Sequence, residues 1–92
     1  MLFSYEIGAA GCRRYTTAED AARDIIAAMS DDEIREEFTD YLYFVYSISD
    51  PGDALPPRDT VISALAQGLA EIPAGGACAV GDFAPVWVYR EE

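Results

Sequence analysis

The chain has no histidine and no lysine, and all six of its basic residues are arginines. Without histidine, a serine or cysteine nucleophile has no imidazole base, and a frequent zinc ligand is missing. Without lysine, no glycine-rich turn can end in the Lys-Ser/Thr pair of a phosphate loop, and Gly75-Gly76 has neither partner. Cysteine is scarce as well. Cys12 and Cys78 lie far apart with no CxxC pair, which reads as two reduced, partly buried thiols rather than a zinc site. Asp50 and Asp53 flank a Pro-Gly turn but do not form the D-x-[DN]-x-[DN]-G pattern of a calcium loop. No enzymatic activity, cofactor or metal is therefore expected.

Long apolar runs are absent too. None approaches the roughly 18 residues that would span a bilayer. The opening MLFSYEIGAAGCRRY has its arginines after the apolar part, so a secretory signal is not expected and the chain reads as cytoplasmic. Above all, positive charge is lacking: 17 acids against 6 basic residues give a net charge of -11. Direct nucleic-acid binding needs a basic footprint that displaces counterions from phosphate, and anionic membrane surfaces need the same. Such a balance favours steered association with a positively charged partner.

What is present is a foldable core. Half of the 92 residues are hydrophobic and 12% are aromatic, too apolar for a disordered chain and enough for one small domain. No repeat or low-complexity segment divides it. Leu2 to Ile7 alternate, with Phe3, Tyr5 and Ile7 on one side, as in a half-buried strand. Gly8 to Arg14 reads as a turn-rich connection. Thr16 and Thr17, each with an acid three residues on, open a helix whose apolar face is Ala18, Ala21, Ala22, Ile25, Ala28 and Met29. Ser30 followed by Glu33 is a fresh capping signal, so two helices meet there or one helix kinks.

The next helix is expected from Asp31 to about Ser47. At ~100° per residue its buried stripe is Ile34, Phe38, Tyr41, Leu42 and Val45. Asp-Pro-Gly-Asp and Pro56-Pro57 then mark a loop. A third helix, from about Asp59 to Glu71, should bury Val61, Ile62, Leu65, Leu69 and Ile72. Ala77 to Val80 and Val86 to Arg90 form a hairpin around Gly81 to Pro85, with Trp87 expected in the core. The fold expected is α+β in the order β-α-α-α-β-β: a small antiparallel sheet, made of the N-terminal strand plus the C-terminal hairpin, with three helices on one face.

The charge is uneven. Residues 19–59 hold 12 acids and 3 arginines, a net of -9, and the remainder holds 5 acids and 3 arginines, a net of -2. Asp31 and Asp32 sit where the helix dipole favours carboxylates. Glu33, Glu36, Glu37 and Asp40 instead project from one side of the helix as like-charge neighbours, each such pair costing about 0.2–0.5 kcal/mol. Helix stability gives no reason for that strip. Tyr43 and Phe44 border it, and tyrosine is a frequent interface residue. The candidate partner-contact residues are Asp32, Glu33, Glu36, Glu37, Asp40 and Tyr43 on the helix, with Asp50 and Asp53 on the loop after it.

The short length, strong acidity, missing lysine and histidine, and the strip Glu33, Glu36, Glu37, Asp40 together resemble the small acidic phage-encoded anti-CRISPR proteins that mimic DNA. The likeness is global, without a shared motif. It implies an inhibitor acting in a bacterial cytoplasm, binding the basic DNA-binding surface of a Cas effector subunit and excluding DNA by competition. Carboxylates one helical turn apart, about 5–6 Å, would stand in for successive phosphates. Two other classes fit the same composition: an antitoxin or immunity protein that neutralises a basic nuclease, and a homo-oligomeric structural or adaptor protein whose acidity only keeps it soluble.

Overall fold

The architecture is α+β, described from a computed structural model covering residues 3–6, 12–50, 52–83 and 85–91, with side chains described from residue 13 onward. The elements run β1 (Phe3–Glu6), β2 (Cys12–Tyr15), α1 (Ala18–Ala27), α2 (Asp31–Glu37), α3 (Thr39–Tyr46), α4 (Arg58–Ala70), β3 (Ala77–Val80) and β4 (Val86–Arg90). The expected inward set Phe3, Tyr5 and Ile7 and the thiol of Cys12 fall outside the described side chains.

All four strands join one antiparallel sheet in the order β2-β1-β4-β3. The N-terminal strand therefore pairs with the C-terminal hairpin, as expected, through Ser4 opposite Tyr89 and Tyr5 opposite Val88. The additional strand β2 corrects the expected turn-rich connection at Cys12 to Arg14, the first part of which, residues 8–11, lies outside the described residues. Consecutive arginines disguise it. As an edge strand it tolerates charge, and Arg13 bonds Asp24 while Arg14 pairs with Glu91 at 3.4 Å.

Helix starts follow local chemistry. The Thr17 side chain accepts from the Asp20 N–H, and Ser30 and Glu33 form a reciprocal capping box. Helix α1 buries Ala21, Ala22, Ile25 and Ile26, and the small alanines let it lie against α4, which buries Val61, Ile62 and Leu69. Ile26 replaces the expected Ala28, which is exposed, and Leu65 is only half-buried. Val80 and Val88 close the core from the sheet, so the helices cover the face that carries these valines. Among the described residues no helix is long and apolar enough to cross a membrane.

Two corrections come from one place. The single helix expected from Asp31 to Ser47 breaks at Phe38, which has φ -121° and ψ 35°. The N–H of Asp82, from the β3–β4 turn, bonds the Glu37 carbonyl at 2.9 Å, and the Thr39 hydroxyl bonds the carbonyls of Arg35 and Glu36. Those carbonyls would otherwise continue the helical ladder. A constant 100° step no longer holds across the break. Beyond it Val45, expected in the core, is 60% exposed, while Glu37, which precedes the break three residues after the buried Ile34, is 6% exposed because the β3–β4 turn closes over its carboxylate.

Trp87 is a further correction, half exposed rather than in the core. The register pairs Ala79 with Trp87 and Cys78 with Val88, so the valine takes the core side and the tryptophan the other.

Candidate functional site

Helix α3 ends on Ser47 in the left-handed conformation, φ 56°, and the Ile48 N–H returns to the Leu42 carbonyl at 3.1 Å. That reversal folds the loop after α3 back toward the α2–α3 junction. The Asp53 carboxylate then accepts the N–H groups of Ser49 and Asp50, each at 3.2 Å, and fixes the turn. A concavity of about 420 Å³ results, lined by Arg35, Glu36, Thr39, Asp40, Leu42, Tyr43, Ile48, Ser49 and Asp50.

Four of the expected contact residues, Glu36, Asp40, Tyr43 and Asp50, thus come together on one concave surface. Leu42 and Ile48 supply apolar lining, and Tyr43 is 55% exposed. Arg35 is the one basic residue in the lining, and its Nη1 is buried without a hydrogen-bond partner. The other four expected residues play different parts. Glu33 completes the capping box while remaining exposed, and Asp32 is exposed in the first turn of α2. Asp53 shapes the loop. Glu37 is withdrawn from the strip: its carboxylate accepts the Phe83 N–H at 3.0 Å, inside the junction.

That bond adds two residues which sequence reasoning missed. Asp82 approaches the start of α3, with its Oδ2 3.4 Å from the Asp40 N, and contributes a carboxylate near Asp40. Phe83 beside it is 78% exposed. The Gly81-Asp82 turn was visible in the sequence, but its destination depended on Glu37. Phe44, Val45 and Tyr46 extend the apolar border along α3, with Phe44 78% exposed and stacked edge-on against Tyr43.

The remaining arginines explain why the acids here lack counterions. Arg13 pairs with Asp24, Arg14 with Glu91, Arg23 with Glu19 and Asp59, and Arg58 with Asp31. Arg90 donates to the carbonyls of Ala70 and Ile72 at the end of α4. Among the described residues no ion pair neutralises Glu36, Asp40, Asp50 or Asp82. Chemically the surface offers carboxylates, the hydroxyls of Thr39, Tyr43 and Ser49, and aromatic edges, a set suited to guanidinium or ammonium groups. Comparison with protein-family models, with curated proteins and with solved structures finds no match to the chain.

Proposed function

We propose that the protein is an acidic inhibitor that covers a basic, nucleic-acid-binding surface of another protein, with a Cas effector subunit as the preferred partner. The observation that carries this reading is the gathering of Glu36, Asp40 and Asp50 on one concave surface with no ion pair among the described residues. Like charges held together oppose folding, so their local concentration has its use in a complex. The aromatic border, with Tyr43, Phe44 and Phe83 exposed, adds desolvated contact once a partner arrives. Charge sets the rate of encounter and the aromatic rings slow departure.

The test is the variant Glu36→Gln, Asp40→Asn, Asp50→Asn, which leaves the buried Glu37 intact. It should fold with equal or higher thermal stability and lose its block of DNA binding by a purified Cas effector complex. Native-like inhibition by the folded triple variant would sink the reading. Affinity of the unmodified protein should also fall steeply between low and physiological salt, and a salt-independent affinity would count equally against it.

A further inference from the structure

The two edges of the sheet are unlike. In the order β2-β1-β4-β3 the outer strands are β2 and β3. Strand β2 carries Arg13 and Arg14, and charge of that kind discourages the addition of a further strand. Strand β3 reads ACAV, without a charge or a proline. Its main chain is open as well. The Arg90 N–H bonds the Gly76 carbonyl at 2.9 Å, so Gly76 faces β4. Bonding direction alternates along an antiparallel strand. Cys78 and Val80 therefore face β4 too, while Ala77 and Ala79 turn their N–H and C=O groups outward. Among the described residues only the Cys78 thiol, a weak donor, meets one of these groups, the Ala79 carbonyl at 3.4 Å.

A groove of about 320 Å³ lies against this edge. Phe38, Val61, Leu65 and Leu69 line it together with Cys78 and Val80, and no residue of β4 does, so it lies under β3 and past its outer edge. Gly68 of α4 keeps it open. A Cβ there would meet nothing within 4 Å, so packing does not require this glycine, which weakens the helix. Where β3 runs into Gly81 stand the carboxylates of Glu37 and Asp82, and no arginine lines the groove. Glu37 is committed to the Phe83 N–H, whereas Asp82 is exposed and in no ion pair among the described residues.

We propose that the β3 edge and this groove together bind an extended peptide segment of a partner protein, added to the sheet as a further strand. The outward groups of Ala77 and Ala79 pair with the peptide main chain, and the groove takes its alternate side chains. Antiparallel addition, the commoner pairing, sets the N-terminal part of the peptide beside Gly81. The side chain there is basic and lies against Asp82 and Glu37. The one two positions later, on the same face, is large and apolar and lies against Leu65 and Leu69. The segment recognised is therefore basic-x-apolar. Charge and backbone each select it: the carboxylates favour the cation, and the unpaired edge favours a strand over a free small molecule. This assignment does not rest on the inhibitory reading, because the groove and the acidic concavity share no lining residue.

The test is affinity selection by the full chain from capped pentapeptides randomised at their central positions, followed by amide NMR and hydrogen exchange with the best binder. The selected peptides should carry Arg or Lys two positions before a large apolar residue. Binding should shift the Ala77 and Ala79 amides and slow their exchange. N-methylation of the peptide amides that face β3 should weaken binding about tenfold, and so should glutamate in place of the basic residue. Gly68→Phe, which fills the groove from an exposed helical position, should fold and lose binding. Selection without a basic-x-apolar pattern would overturn the proposal. So would binding that N-methylation leaves unchanged, which would mean that the groove takes side chains without strand addition. Slow exchange of Ala77 and Ala79 in the free chain, lost on dilution, would place a second copy on the edge and overturn it too. Should Gly68→Phe not fold, the modified peptides decide alone.

Discussion

Glu37 and Phe83 are joined by a hydrogen bond of 3.0 Å from the phenylalanine N–H to the glutamate carboxylate, beneath the surface of the α2–α3 junction. Gly81 completes the relationship. It has φ 115°, and a Cβ there would lie 2.6 Å from Glu37 Oε2. The turn can close over the carboxylate only because residue 81 has no side chain. Sequence, backbone conformation and site geometry meet at this contact, since it also sets the positions of Asp82 and Phe83.

Glu37→Ala should therefore destabilise the protein by roughly 1.5–3 kcal/mol, the range for losing a hydrogen bond to a charged acceptor, here one that serves the Phe83 N–H. Glu36→Ala, one residue away and exposed, should change stability by less than about 0.5 kcal/mol. Urea denaturation of the two variants compares them directly. Equal midpoints would mean that Glu37 is as expendable as its neighbour. Gly81→Ala should fall on the same side as Glu37→Ala, because it forces the same contact apart.

Arg58 supports a second junction. Its Nη1 donates to the carbonyls of Ile26 and Met29, and its Nη2 to Asp31, so it closes the end of α1 and pins the start of α2. The planar fork reaches several acceptors at once, which an ammonium group cannot do from the same position. Arg58→Lys should accordingly lose nearly as much stability as Arg58→Ala, about 1–2 kcal/mol. Because two of the acceptors are carbonyls, salt should remove little of the difference between these variants and the unmodified chain. Full rescue by lysine would show that charge alone matters at this position.

These two junctions also mark where the sequence is legible. The capping box at Ser30 and Glu33, the cap at Thr17, the α4 core positions Val61, Ile62 and Leu69, and the β3–β4 hairpin are local patterns, and they appear where the spacing puts them. The break at Phe38 is set by the Asp82 N–H, a group distant in sequence, and no periodicity over residues 31–47 encodes it. Spacing places Glu37 in the acidic strip because charge alone does not distinguish a buried acceptor from an exposed one. Trp87 sits in an apolar run where either alternation is possible, so only the register with β3 decides its face. The concavity itself needed the loop's return at Ser47, which a serine does not announce.

Ser47 offers a stabilising change for the same reason. It is the one described non-glycine residue with positive φ, and its side chain is exposed. A left-handed conformation costs an L-residue about 1–2 kcal/mol that glycine does not incur, offset in part by the extra freedom of glycine in the unfolded chain. Ser47→Gly should raise stability by about 0.5 kcal/mol, and Ser47→Val should lower it. Thermal melting of the pair tests this. A glycine variant less stable than the valine variant would contradict the assigned cap.

Tyr41 gives the protein a specific response to alkali. Partial burial, and then its contact with Tyr46 across 3.4 Å between the hydroxyls, push its pKa up to about 12 from 10.0. Its neutral form is thus favoured by folding. Between pH 10 and about 12 the unfolded chain has already lost the Tyr41 proton while the folded chain retains it. Unfolding then releases a proton, and stability falls as pH rises through this window. Below pH 10 both states hold the proton and the contribution is fully present. Tyr41→Phe should flatten the alkaline decline in melting temperature and remove the latest-titrating step from the tyrosinate absorbance. Tyr46→Phe should retain that step but bring it to lower pH, because burial remains while the hydroxyl contact is lost. An alkaline titration left unchanged by Tyr41→Phe would show that the group does not titrate in this window.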